Sequence, residues 1–254
     1  MIISGAPILN YSGYIVETAY TLHIPILPQP DDTTCGPTCL HAIYTYYQDI
    51  VSLKEVISQT KSLDEGGTLD VFLACNALKR NYNVTIYTYN LQLFDPTWFE
   101  NKRINLRHKL IEQAKHKSDP KLDLATEGYL EFLNLGGLLR YVDLTPRLLR
   151  RLLKQSIPIL TGLSATYLYR SPRETSDCQY NDITGEPVGH FVILAGYDKD
   201  TRLVTVVDPA TQNPIADKHY YQVSVDRICG AILLGALTYD ANMVLIQPKS
   251  SKNQ

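Results

Sequence analysis

Gln29-Pro30-Asp31-Asp32-Thr33-Thr34-Cys35-Gly36-Pro37-Thr38-Cys39-Leu40 joins a polar turn to the start of an apolar run. It follows a short apolar run, Leu22 to Leu27, that ends in prolines, and it leads into Leu40 to Tyr47, rich in aliphatic and aromatic residues. The pattern predicts a buried helix that begins near the cysteine. Thr34 is placed as N-cap, and Pro37 fits a first turn because its missing N–H would be unpaired there anyway. A thiol at that point meets the partial positive charge of the helix end, which favours the thiolate. Cys35 is therefore a candidate nucleophile. A cysteine taken alone is more often a small buried hydrophobe, so the case rests on its partners.

Working outward, the 254 residues are 44% apolar, enough for one large core. A net charge of −2 gives no footprint for nucleic acid or an anionic membrane. The five cysteines are scattered and odd in number, which fits a reducing compartment rather than a disulfide framework. Met1 to Tyr20 lacks the basic start and continuous apolar centre of a secretory signal, and no apolar run approaches the ~20 residues of a membrane span. The expectation is a soluble, cytoplasmic protein.

Ile2 to Leu22, with turn residues at Gly5-Ala6-Pro7 and Ser12-Gly13, supports a weak strand or two. Beyond the Cys35 helix, Ser52 with Glu55 is a capping-box pattern for a second helix. Gly66-Gly67 breaks the chain, and Leu69, Phe72, Leu73 and Ala77 predict a third helix over Thr68 to Arg80. Val84 to Tyr89 reads as a strand. The composition changes over Asn90 to Asp143, where helices are predicted over Ile104 to Lys117 and Leu124 to Leu135, separated by Ser118-Asp119-Pro120. The basic cluster Lys102, Arg103, Arg107 and Lys109 reads as a solvated helix face. Thr145-Pro146 starts a further helix through Gln155, and Pro158 to Leu163 reads as a strand. Ser164 to Gly189 is polar, turn-rich and long for a loop in a compact domain, a length more often functional than idle.

The second candidate group follows that loop. His190 to Gly196 and Arg202 to Val207 are apolar runs joined by Tyr197-Asp198-Lys199-Asp200-Thr201, which predicts an antiparallel hairpin. With the turn centred near Lys199, His190 lies opposite Asp208, Val192 opposite Val206, and Leu194 opposite Val204. Opposed residues share a face, so the carboxylate can hold one imidazole nitrogen and leave the other for a thiol. On this reading Asp208→Asn should favour the wrong tautomer.

The combination of Gln29 to Gly36, His190-Phe191-Val192-Ile193-Leu194-Ala195-Gly196-Tyr197-Asp198 and Val206-Val207-Asp208-Pro209 resembles the papain-like cysteine peptidases that process double-glycine leader peptides. The resemblance implies Cys35 and His190 as nucleophile and base, Asp208 as the residue that orients the histidine, and Gln29 as part of the oxyanion hole. It implies an α+β, papain-like fold, a helical lobe carrying Cys35 and an antiparallel β lobe carrying His190 and Asp208, over residues 1–254 as a single domain, with residues 90–143 a helical insertion. It also implies cleavage of a peptide or isopeptide bond in a peptide or protein substrate through a thioester. An acyl transferase of the phytochelatin-synthase kind and a non-catalytic peptide-binding module are the alternatives.

Cys39, Cys75 and Cys229 read as core residues, and Cys178 as the exposed rival thiol. A metal site from Cys35, Cys39 and His41 would lack a second ligand pair, so neither metal nor cofactor is expected.

Overall fold

The computed structural model describes residues 8–9, 15–16, 19–64, 66–101 and 103–249. The turn residues expected at 5–7 and 12–13, and Lys102 of the basic cluster, lie outside them. Two short strands, β1 (Ile8–Leu9) and β2 (Ile15–Val16), pair with each other, and β3 (Ala19–Thr21) joins the main sheet.

The helices start where the sequence offers caps. Helix α1 runs Cys35–Tyr46, with Thr34 at the cap position. Its hydroxyl turns back to the Asp31 carbonyl oxygen at 3.2 Å and makes no bond to the helix. Helix α2 (Leu53–Gln59) is capped by Ser52, which accepts from Glu55 N. Helix α3 spans Asp70–Lys79 and leads into strand β4, Tyr82–Thr88. Helices α4 (Leu106–His116) and α5 (Pro120–Asn134) follow a short 3-10 turn. Pro120 is the first residue of α5 and Asp119 its cap, so the tripeptide read as a separator starts the helix instead; a proline is tolerated there for the reason it is tolerated in α1.

Strand β5 (Leu138–Arg140), helix α6 (Pro146–Leu153, capped by Thr145) and strand β6 (Ile159–Ser164) come next. Helix α7 (Ala165–Tyr169) opens the segment predicted as loop, because Ser164 caps it. Strands β7 (Gly189–Asp198), β8 (Leu203–Val207) and β9 (Tyr220–Ser224), helix α8 (Val225–Leu234) and strand β10 (Asn242–Pro248) follow.

The fold is α+β. Its sheet has the order β5-β4-β10-β6-β7-β8-β9, with β3 added on β7. All neighbours are antiparallel except β4 and β5, so the sheet is mixed rather than purely antiparallel. Alternation along the strands builds a core on each face. Phe191 and Ile193 of β7 join Cys39, Leu40 and Leu73, whereas Val192 and Leu194 join Leu149, Leu152 and Ile228. Residues 90–143 contribute Phe94, Leu110, Leu122, Tyr129 and Phe132 to the same cluster that holds Cys35. Arg107 and Lys109 are exposed on α4, as expected of a solvated face. Among the described residues no helix is long and apolar enough to cross a membrane.

Candidate active site

Helix α1 meets β7 end-on at Gly36. A Cβ there would lie 2.8 Å from Thr68 Cγ2 and 3.2 Å from Phe191 Cδ2, so only glycine lets the helix start this close to the histidine strand. Cys39, one turn on, donates its thiol hydrogen to the Phe191 carbonyl oxygen at 3.3 Å and ties the two elements together. The first N–H groups of any helix have no acceptor within it. With Pro37 lacking one, those of Cys35 and Gly36 remain at the mouth of α1.

His190 lies at the start of β7 and is buried. Its Nε2 is 2.9 Å from Asp208 Oδ1. Cys35 lies near enough to the ring to favour its protonated form. Burial disfavours the imidazolium, but the Asp208 charge, the bond to its carboxylate and Cys35 outweigh it, and the group is pushed up to about 10. Asp208 is fully buried. Burial raises its carboxyl, yet the His190 charge and hydrogen bonds from His190, Tyr221 and Tyr169 prevail and lower it to about 2.

The hairpin register differs from the predicted one. Asp198 Oδ1 accepts from the N–H groups of Asp200 and Thr201, and Arg202 takes a left-handed φ of 58°, which moves the turn beyond Lys199. Ile193 faces Val207 and Leu194 faces Val206, whereas farther along Gly196 faces Thr205 and Tyr197 faces Val204. Ala195 is the extra residue of a β-bulge, and its carbonyl oxygen accepts from Leu22 N at 2.7 Å. Extending the register past Ile193 sets Val192 opposite Asp208, so His190 and Asp208 are diagonal neighbours on one face. The bulge is what permits this. Without it the register beyond Gly196 would continue, even positions of β7 would face odd positions of β8, and Asp208 would fall on the other face.

Sequence reasoning missed the donors around Asp208. Its Oδ2 accepts from the hydroxyls of Tyr169 and Tyr221, each at 2.7 Å, and its Oδ1 also accepts from Ala210 N at 2.9 Å. Tyr221 was within reach of a pattern reading, since Tyr220 to Ser224 alternates and Tyr221 and Val223 point inward. Nothing in the sequence singles out Tyr169.

Gln29 is anchored to the same end of the sheet, its N–H donating to the Pro209 carbonyl oxygen at 2.9 Å. Its side-chain N–H donates to the Asp31 carbonyl oxygen at 2.9 Å, and its Oε1 is buried without a partner. An amide nitrogen carries two hydrogens, so one donor remains. No hydrogen bond joins Gln29 to Cys35, His190 or Asp208 among the described residues.

The segment before His190 is ordered by its own backbone. Glu174 and Glu186 exchange N–H···O bonds of 3.1 and 2.7 Å, and the Arg173 guanidinium donates to the Asp182 carbonyl oxygen at 2.6 Å. The Glu174 carboxyl is raised by burial and by the nearby Asp32 charge, and lowered by His190. It therefore lies within the field of both sides of the site. Among the remaining thiols Cys39 is raised far above its ordinary value and Cys75 to about 12, both chiefly by burial. Cys229 is raised to about 11 by burial, then by Asp226, and Cys178 is exposed.

Cys35 at the start of α1 thus lies near His190, whose Nε2 rests on the buried Asp208 carboxylate. Residues 141–227 match the sequence model of the Peptidase_C39 like family. The matched part includes His190, Asp208, Tyr169 and Tyr221, and it leaves Cys35 and Gln29 outside. The chain is thus similar to a family of cysteine peptidases over that part. It is also similar to a Bacillus anthracis protein assigned as a C39-like peptidase, with 15% identity, 92% of this chain and 99% of the other covered, and a TM-score of 0.48. The peptidase domain of Streptococcus ComA, a bifunctional ABC transporter of a quorum-sensing pathway, gives 12%, 89%, 100% and 0.44. A double-glycine motif protease from a transporter, solved with its leader peptide, gives 12%, 90%, 94% and 0.44. No curated protein sequence matches the chain.

Proposed function

We propose that the protein is a thiol-dependent peptidase that cleaves a peptide or isopeptide bond through a Cys35 thioester. The observation that carries the reading is the bond between His190 Nε2 and the buried Asp208 carboxylate, with Cys35 near the ring at the start of α1. The carboxylate takes the Nε2 hydrogen, so Nδ1 is the nitrogen free to exchange a proton with sulfur. An imidazolium stabilised by a buried carboxylate favours the thiolate as its partner. The thiolate attacks the acyl carbon, and His190 then protonates the leaving amine. The Cys35 N–H and the second Gln29 N–H are the donors proposed for the oxyanion; removing one such donor typically costs on the order of 10²–10³-fold in rate.

The substrate proposed is a peptide or protein segment, the compartment is the cytoplasm, and residues 90–143 are an insertion within one domain. A peptide-library cleavage assay on the parent chain, Cys35→Ala and His190→Ala tests the chemistry. Turnover in the parent alone is expected. Equal turnover in Cys35→Ala would refute the thiol mechanism.

A further inference from the structure

The strand that carries His190 is braced on its other face by a carboxylate that the proposed chemistry does not use. Alternation turns Gly189 and Phe191 away from the His190 face, and Gly162 of β6 stands opposite Phe191. Both glycines make room for Asp240, the residue two before β10. A Cβ at Gly162 would lie 2.7 Å from the Asp240 Cβ and from its carbonyl oxygen. A Cβ at Gly189 would run into Asp240 Oδ2 and come within 2.8 Å of Thr238 Oγ1. Neither glycine has positive φ, so what each supplies is space rather than backbone freedom.

Asp240 is fixed in that space. Its N–H donates to the Gly235 carbonyl oxygen at 2.8 Å, and its Oδ2 accepts from Thr238 Oγ1 at 2.8 Å. It is 7% exposed. The groups facing it come from every neighbouring element. Asp70 of α3 repels it, Lys121 of α5 and His190 of β7 attract it, and the Asn242 amide donates to Asp70 beside it. Tyr129 of α5 donates to Asp70, and the Tyr239 hydroxyl is turned away to Asp119.

We propose that Asp240 is a positioning residue for His190, a second carboxylate that holds the Gly189–His190 backbone and adds negative potential from the face opposite Asp208. This rests on the reading of His190 as the catalytic base. Burial raises the Asp240 carboxyl to about 7, against the Thr238 hydroxyl, Lys121 and His190. Its charge is therefore present above neutrality and absent below. His190 loses its proton on the alkaline side, where that charge is in place.

The test compares the parent with Asp240→Asn, which keeps the shape and removes the charge. Imidazole NMR reads the His190 titration, assigned by difference from His190→Gln, so the result does not depend on peptide turnover. Losing a nearby negative charge destabilises the imidazolium, and the His190 midpoint should fall by half a unit or more. Gly189→Ala should displace the strand and cut kcat at least about tenfold with KM little changed, and adding Asp240→Ala should relieve the clash but leave the His190 midpoint as low as in Asp240→Asn. A His190 midpoint within about 0.1 unit of the parent, or full activity in Gly189→Ala, would overturn the inference. An absence of any thiol-dependent turnover in the parent, with the NMR shift present, would instead count against the proposed function.

Discussion

Asp208→Asn separates two accounts of the carboxylate. An amide has one acceptor and one donor end, so the outcome depends on which end faces His190. On sequence grounds alone the NH₂ end could face the ring, forcing the proton onto Nδ1 and aiming it at sulfur. The structure argues for the other orientation. Oδ1 of Asp208 serves the Ala210 N–H, which can only donate, as well as His190 Nε2. Oδ2 serves two tyrosine hydroxyls, which can accept as readily as donate. In Asp208→Asn the amide oxygen should therefore remain on the His190 side and preserve the tautomer. What is lost is the charge. A hydrogen bond to a charged group contributes ~1.5–3 kcal/mol and a neutral one ~0.5–1.5, a difference of about 1–1.5 kcal/mol. At 1.36 kcal/mol per factor of ten this is a fall in kcat/KM of about 5–13-fold. Asp208→Ala removes the acceptor altogether and should fall on the order of 10⁴-fold. Steady-state kinetics of the two variants on one peptide, with folding checked by circular dichroism, decides it. If Asp208→Asn fell as far as Asp208→Ala, the amide orientation argued from Ala210 would be wrong.

Tyr169→Phe and Tyr221→Phe each remove a 2.7 Å donor from the buried carboxylate. Each should move the Asp208 midpoint up from about 2 by about one to two units, at ~1.5–3 kcal/mol per charge-assisted bond, and raise the pH of acid inactivation; an unmoved acid limb in the double variant would rule this out. The histidine gives a stability prediction of opposite sense. Its folded midpoint is raised from ~6.5 to about 10, so its contribution is complete below pH ~6.5 and is lost as pH rises to about 10; Tm should fall over that window in the parent and less in His190→Gln, and parallel curves would contradict it. Replacing residues 175–183 by a short glycine linker should change KM or selectivity more than Tm, because Glu174 lies in the field of His190 and Asp32; unchanged kinetics on several peptides would make the segment an idle excursion.

The elements legible in the sequence were those with a local signature. Ser52, Thr145 and the apolar spacing of Leu69 to Ala77 marked helices that the structure contains within a residue or two. The proximity of His190 and Asp208 was legible because a two-residue error in register keeps a residue on its face. The bulge at Ala195 was not legible, because nothing about an alanine announces an unpaired position; it is demanded by Leu22 bonding from outside the hairpin. Tyr169 and Asp240 were equally hidden. Each lies far in sequence from the strand it serves, and only the tertiary arrangement brings it there. Gln29 was placed by resemblance, and its present bond to Asp31 had no sequence signal at all.

Competition among the five cysteines for a limiting alkylating agent tests Cys35 as the nucleophile. Limited iodoacetamide treatment near pH 6 with peptide mass mapping reads the order of labelling. Cys39 and Cys75 are buried, and burial has raised Cys39, Cys75 and Cys229 alike, so these three should stay largely unmodified. Cys178 is exposed, but its labelling at this pH should trail that of Cys35. Modification should concentrate on Cys35, abolish turnover, and slow markedly in His190→Ala. Labelling of Cys178 ahead of Cys35 at that pH, or full labelling of Cys35 with activity intact, would contradict the account.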